Sequence, residues 1–256
     1  MRPTHLKWWL QKYKDLDSLA YDSIDWKAIG NAHKYVSGTD EVRLVKYLNG
    51  WLNTGRQKGQ HGKDPSCPCC GAKEETQLHM FQCQSLASRQ ARKQAFKLLE
   101  KYYNEHKILQ QISVPFIRLC RQACNQMDGA QTIAARPSVA AAIKSQSRLG
   151  VDFLLRGILT KDWLPAMIEM SRDHPEQRLA HLQVGLWKVL FGSIWDNRNT
   201  VLHGKLSLAD KYERCKLLDE LAEWRQNSAR RLGANQQYLI DYTMDEARGW
   251  TMPCLR

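Results

Sequence analysis

Residues 66–83 contain Ser66-Cys67-Pro68-Cys69-Cys70-Gly71 and, further on, Glu75-Thr76-Gln77-Leu78-His79-Met80-Phe81-Gln82-Cys83. Pairing Cys67 with Cys70 gives the spacing C-x2-C-x8-H-x3-C. Zinc takes four tetrahedral N/S ligands, with Zn–S near ~2.3 Å and Zn–N near ~2.0 Å. A two-residue spacer lets a tight turn present two thiolates to one ion. Gly71 permits that turn and leaves backbone N–H groups for the sulfurs. His79 and Cys83 stand four apart and share one face of a short helix. Four protein ligands close the shell, so the site is expected to be structural, not catalytic. Cys69 is the leftover thiol, and Cys67 to Cys69 is too short for the usual knuckle. A thioredoxin-like redox pair at Cys67 and Cys70 would need a βαβ context, which the flanking sequence lacks.

The rest of the composition agrees with a reducing compartment. Lys7, Lys12 and Lys14 interrupt the N-terminal segment, so no secretory h-region is expected, and the location is expected to be intracellular, nuclear or cytoplasmic. The eight cysteines are therefore read as thiols or metal ligands rather than disulfides. No apolar run approaches the ~18 residues of a membrane span. At 256 residues, 43% apolar and 25% charged, the chain has globular composition.

The formal net charge is +12, and it is uneven. Residues 42–63 carry Arg43, Lys46, Arg56, Lys58 and Lys63 without an acid. Residues 84–124 carry Arg89, Arg92, Lys93, Lys97, Lys101, Lys107, Arg118 and Arg121 against Glu100 and Glu105. Two basic stretches thus flank the cysteine cluster, and a polyanion such as nucleic acid is the partner that pattern suits.

The pattern elsewhere is helical. Val42, Leu44, Val45, Leu48, Trp51 and Leu52 space an amphipathic helix over 40–52, and the Gly- and Gln-rich stretch 53–63 reads as a loop. Helices are expected over 88–105, 114–127 (started by Ser113 and Pro115), 138–157 and 181–204 (ended by Gly204). A further helix from Ser207, with Asp210 as capping-box partner, would form a hairpin with the last of these. The expected fold is mostly α, a small CCHC zinc knuckle followed by a helical bundle. Its expected parts are an N-terminal arm over 1–40, a zinc-binding module with a basic Gly-rich loop over 41–84 and a helical region over 85–256.

The run KYLNGWLNTG (46–55), the basic Gly-rich loop, CPCCG (67–71), ETQLH (75–79) and Cys83 resemble the zinc-binding region downstream of the reverse transcriptase in non-LTR retrotransposons. Trp195-x-x-Arg198-Asn199, followed by Leu202-His203-Gly204, is similar to the Trp-x-x-Arg-Asn pattern in the helical tail of those proteins. The likeness covers residues 40–84 and, more loosely, 150–205. It implies Cys67, Cys70, His79 and Cys83 as ligands of Zn2+. The polymerase does not carry over, because a palm needs a Tyr-x-Asp-Asp-like motif and this chain has no Asp-Asp pair.

Three functional readings follow. The first is zinc-stabilised binding of RNA or DNA through phosphates by Lys58, Lys63, Arg89, Arg92 and Lys93, with Trp51 as a stacking platform and no enzymatic activity. The second is a HEPN-like ribonuclease, in which Arg198 would stabilise phosphate and His203 move a proton. Against it, Arg198 has an alternative role pairing with an acid such as Glu213. The third is a zinc-stabilised protein-interaction module. Lys63 is followed by Asp64 with no strand before the glycines, which argues against a phosphate-binding P-loop. Cys120 and Cys124 share a helix face without a second ligand pair nearby and are expected to be buried thiols.

Overall fold

The structure is a computed structural model that describes residues 17–125, 135–203 and 216–224. The chain divides into two compact units, 1–198 and 199–256. The described part of the second comprises the last turn of one helix and a separate helix over 216–224.

The fold is mostly α, as expected. No strand forms among the described residues, where β pairing is limited to a bridge between Ile24 and Thr160. The helices are α1 (Ser18–Ser23), α2 (Trp26–His33), α3 (Thr39–Leu48), α4 (Gly55–Gly59), α5 (Gln77–Gln82), α6 (Leu86–Glu105) and α7 (Gln110–Ala123). They continue with α8 (Pro137–Leu149), α9 (Val151–Leu155), α10 (Trp163–Met170), α11 (Pro175–Val184), a π-helical segment (Gly185–Phe191) and α12 (Gly192–His203). No described helix is long and apolar enough to cross a membrane.

In the first unit, α2 packs on α11, α6 on the π-helical segment, and α10 on α8 and α11. Their buried faces merge into one apolar core that includes Ala32, Phe96, Leu99, Phe116, Trp163 and Leu186. The core also draws in Ala28 and Val36, so residues 18–36 are integral to the bundle rather than an arm. Small residues let α2 approach closely, because Ala28 and Ala32 present little bulk on its inner face.

Several boundaries differ from those the sequence suggests. Pro115 lies inside α7, which begins five residues earlier at Gln110. The stretch 138–157 is two helices, because Gly150 adopts φ +108° and breaks the run. The helix expected over 181–204 is the later part of a helical run from Pro175 to His203, interrupted by the π-helical turn. That turn begins at Gly185, where a Cβ would stand 2.4 Å from the Tyr103 ring. Tyr103 is fully buried, and its hydroxyl donates to the Leu182 carbonyl at 2.8 Å. Glycine is thus the residue that admits α6 to this surface. Ser207 and Asp210, the expected start of the next helix, lie outside the described residues.

Candidate metal centre

The chain enters the site at Trp51–Gly55. Gly55 opens α4, and a Cβ there would meet the Pro65 carbonyl oxygen at 2.0 Å, so only glycine fits. Its N–H donates to Glu75 Oε2 at 2.7 Å. The Glu75 backbone bonds both sides of the loop, its N–H to the Pro65 carbonyl at 2.9 Å and its carbonyl from the Arg56 N–H at 3.0 Å. Asp64 closes a local turn on the Ser66 N–H and hydroxyl, bonds that hold its carboxyl below the usual carboxylate range.

The first ligand pair sits on a tight turn. Gly71 adopts φ +73° and donates its N–H to the Cys67 carbonyl at 2.8 Å, while Cys67 N–H reaches the Ala72 carbonyl at 2.9 Å. The second pair sits on α5. Thr76 caps that helix, its hydroxyl accepting from the His79 N–H at 2.9 Å. One side of α5 buries Met80 and Phe81 in the core. His79 and Cys83, one turn apart, face the turn. Cys83 ends α5 at φ −55°, ψ 127°, outside the helical region, and Ser85 caps α6 immediately after.

Cys67, Cys70, His79 and Cys83 each offer one ligand atom, and the four atoms lie within 4.8 Å of one another. Cys67 Sγ is 3.9 Å from Cys83 Sγ, and Cys70 Sγ is 3.3 Å from His79 Nε2. A tetrahedral ion with Zn–S near ~2.3 Å needs S···S edges of about 3.8 Å, so the donor set and its size are consistent with zinc. Burial pushes the Cys67 thiol up, against N–H groups of Cys69 and Cys70 that favour its thiolate. At Cys83 burial also opposes ionisation, but the Ser88 hydroxyl and the Ser85 amide and hydroxyl outweigh it and hold the thiol below its ordinary value. Among the described residues no other group of three or more His, Cys, Asp or Glu side chains is so arranged. Cys120 and Cys124 are buried thiols, pushed up by burial, Cys124 to about 12. Cys69 is half-buried and raised chiefly by burial.

Behind the ligands lies an ion pair that sequence spacing does not reveal. Glu75 is fully buried and Arg198, from α12, is 3% exposed. Arg198 Nε donates to Glu75 Oε1 at 2.9 Å and Nη2 to Oε2 at 2.7 Å. Nη2 also reaches the Asn53 carbonyl at 3.2 Å, and the guanidinium lies 5.0 Å from the Trp195 ring. Three sequence signatures therefore meet at one carboxylate: the Asn53–Gly55 turn, the Glu75-Thr76 pair before the histidine, and the Trp195-x-x-Arg198 run. Glu213, the acid expected beside Arg198, lies outside the described residues. A guanidinium spent on Glu75 and sealed from solvent is poorly placed to bind a substrate phosphate. His203 is exposed in the last turn of α12.

The residues expected to contact phosphate divide. Arg89, Lys93 and Lys63 are exposed and Lys58 is half-buried. Arg92 departs from that expectation: it is 1% exposed and donates from Nη1 to the Cys83 carbonyl at 2.6 Å. The period of α6 explains the difference. Ser88, Arg92, Ala95, Phe96, Leu99 and Tyr103 form its buried face. Arg89, Lys93 and Lys97 recur every four residues on the outer face, exposed and without an acid partner among the described residues. Lys101 continues the row and pairs with Glu105 at 3.7 Å. Trp51 is 55% exposed.

No family model, curated protein or solved structure matches the chain.

Proposed function

We propose that the chain is a zinc-stabilised nucleic-acid-binding protein resembling the tail of a retrotransposon reverse transcriptase, without its polymerase. Cys67, Cys70, His79 and Cys83 hold zinc in a closed shell, so the ion's role is to order chain, not to activate water. RNA or DNA binds through its phosphates.

The observation that carries the reading is the cationic row on α6. Arg89, Lys93 and Lys97 stand on the outer face of the helix that starts at the metal centre, without an acid partner among the described residues. With Lys101 the row extends about 18 Å along the axis. Metal binding fixes Cys83, whose sulfur meets the α6 cap Ser85 at 3.7 Å, so the ion sets where α6 begins and how its basic face is presented. Lys58 on α4 and Lys63 just after it add charge, and the exposed Trp51 indole offers a stacking surface. Contacts of this kind give affinity that depends steeply on salt and carries little sequence information.

The test is binding of zinc-loaded protein to single-stranded RNA and DNA across a salt series. The logarithm of affinity should fall linearly with the logarithm of salt, and Lys93→Gln should reduce that slope by about one while leaving zinc content intact. A flat salt response, or no binding at low salt, rejects the reading in favour of a protein-docking role.

A further inference from the structure

Two arginines are buried among the described residues, and they are treated differently. Arg198 has its counter-charge in Glu75, which grips it at 2.7 and 2.9 Å. Arg92 is as deeply buried, yet no carboxylate lies within ion-pair distance of it among the described residues. Its one hydrogen bond there runs from Nη1 to the Cys83 carbonyl, and its Nε is buried without a partner. A buried cation without a counter-charge is strongly unfavourable, so its environment should supply one.

Burial and the like charge of Arg89 oppose its cation, and the groups that favour it are two thiols, Cys124 and Cys83. Cys124 stays protonated at neutral pH, since burial holds it at about 12 even with Arg92 and Arg121 close by. Cys83 belongs to the metal cluster. A dication held by three thiolates and one neutral imidazole carries a net negative charge.

We propose that Arg92 is the counter-ion of the metal centre, balancing the negative charge of the loaded Cys67–Cys70–His79–Cys83 site while fixing Cys83 through its carbonyl. The inference rests on the zinc reading. Its geometry follows from α6. Side chains of a helix lean toward its N-terminus, and Ser85, Ser88 and Arg92 fall on the face that looks back at Cys83. Ser85 meets the sulfur at 3.7 Å, Ser88 holds the Ser85 hydroxyl at 2.9 Å, and Arg92 bonds the carbonyl of the same Cys83. Cys83 leaves α5 with ψ 127°, which frees its carbonyl from the helical ladder to accept that bond. Arg92 is therefore a positioning residue for the metal, not a phosphate contact.

A counter-ion and a merely structural arginine predict opposite behaviour for the metal-free protein. Arg92→Met removes the charge and keeps most of the volume. As a counter-ion substitution it should weaken zinc roughly 10- to 100-fold by chelator competition. The metal-free protein should lose no denaturant stability, because an unmatched charge has left its interior. Arg92→Lys, which keeps a cation, should recover most of the zinc affinity, and Cys124→Ala should leave it unchanged. Cobalt-loaded Arg92→Met should show an altered thiolate-to-metal charge-transfer band. Unchanged zinc affinity in Arg92→Met overturns the proposal, as does parallel loss of zinc affinity and metal-free stability. A wild-type protein that binds no zinc overturns the zinc reading itself, which separates the two failures.

Discussion

The loop from Asn53 to Glu75 and the bundle of α2, α6, α11 and the π-helical segment are held by different forces. Within that loop Thr54, Gly55, Cys67 and Glu75 are buried, and none is a large apolar side chain. The bundle buries Phe96, Leu99, Tyr103, Leu186 and Leu190 in one continuous core. Each buried Leu or Phe contributes about 1.5–3 kcal/mol of transfer free energy. The loop has almost nothing of that kind with which to offset the entropy of ordering its backbone. It relies instead on the Glu75 carboxylate, which gathers Gly55 and Arg198, and on the four donors around the metal centre. Polar anchors are directional, so they fix one geometry, and they fail sharply when one partner is removed.

That contrast can be broken first at the ion pair. Arg198→Met leaves Glu75 buried without its counter-charge and should destabilise the protein by about 3–5 kcal/mol in denaturant unfolding. Glu75→Leu combined with Arg198→Met removes both charges and should cost markedly less than Arg198→Met alone. Equal losses in the single and double variants would show that packing, not charge, joins loop to bundle there. A smaller effect is expected in the bundle. Gly185→Ala puts a methyl group against the Tyr103 ring and should cost about 1–3 kcal/mol through overpacking, with zinc content unchanged. Loss of zinc in that variant would mean that the two regions are coupled more tightly than their contacts indicate.

The parts of this architecture that are legible in sequence are those set by local spacing. The ligand set follows from C-x2-C-x8-H-x3-C, and the four donor atoms do converge. The helix expected over 88–105 is α6, Leu86–Glu105, because its apolar period and its Ser85 cap are local signals. The same period also marks Arg92, which shares a face with Ala95, Phe96 and Leu99. Charge density alone groups Arg92 with the phosphate contacts, whereas its helical face places it inside. Pro115 looked like a helix start, but tertiary burial of Ile112, Ser113 and Phe116 carries α7 back to Gln110. The single helix expected over 138–157 fails at Gly150, whose positive φ is invisible in an apolar count. Ala28 and Ala32 give residues 1–40 little hydrophobic signal in sequence, yet small residues allow close helix packing and both lie in the core. Glu75 and Arg198 lay in separate motifs 123 residues apart, and only the fold joins them.

On the proposed reading, one metal ion orders the loop while apolar packing orders the bundle. The most direct test is elemental analysis of the purified chain combined with amide hydrogen exchange before and after chelation. One zinc per chain is expected, none in Cys83→Ser, and a large rise in exchange on chelation over residues 63–84, with the later turns of α6 and all of α11 still protected. A folded, metal-free protein whose loop exchanges as slowly as its bundle would contradict that reading.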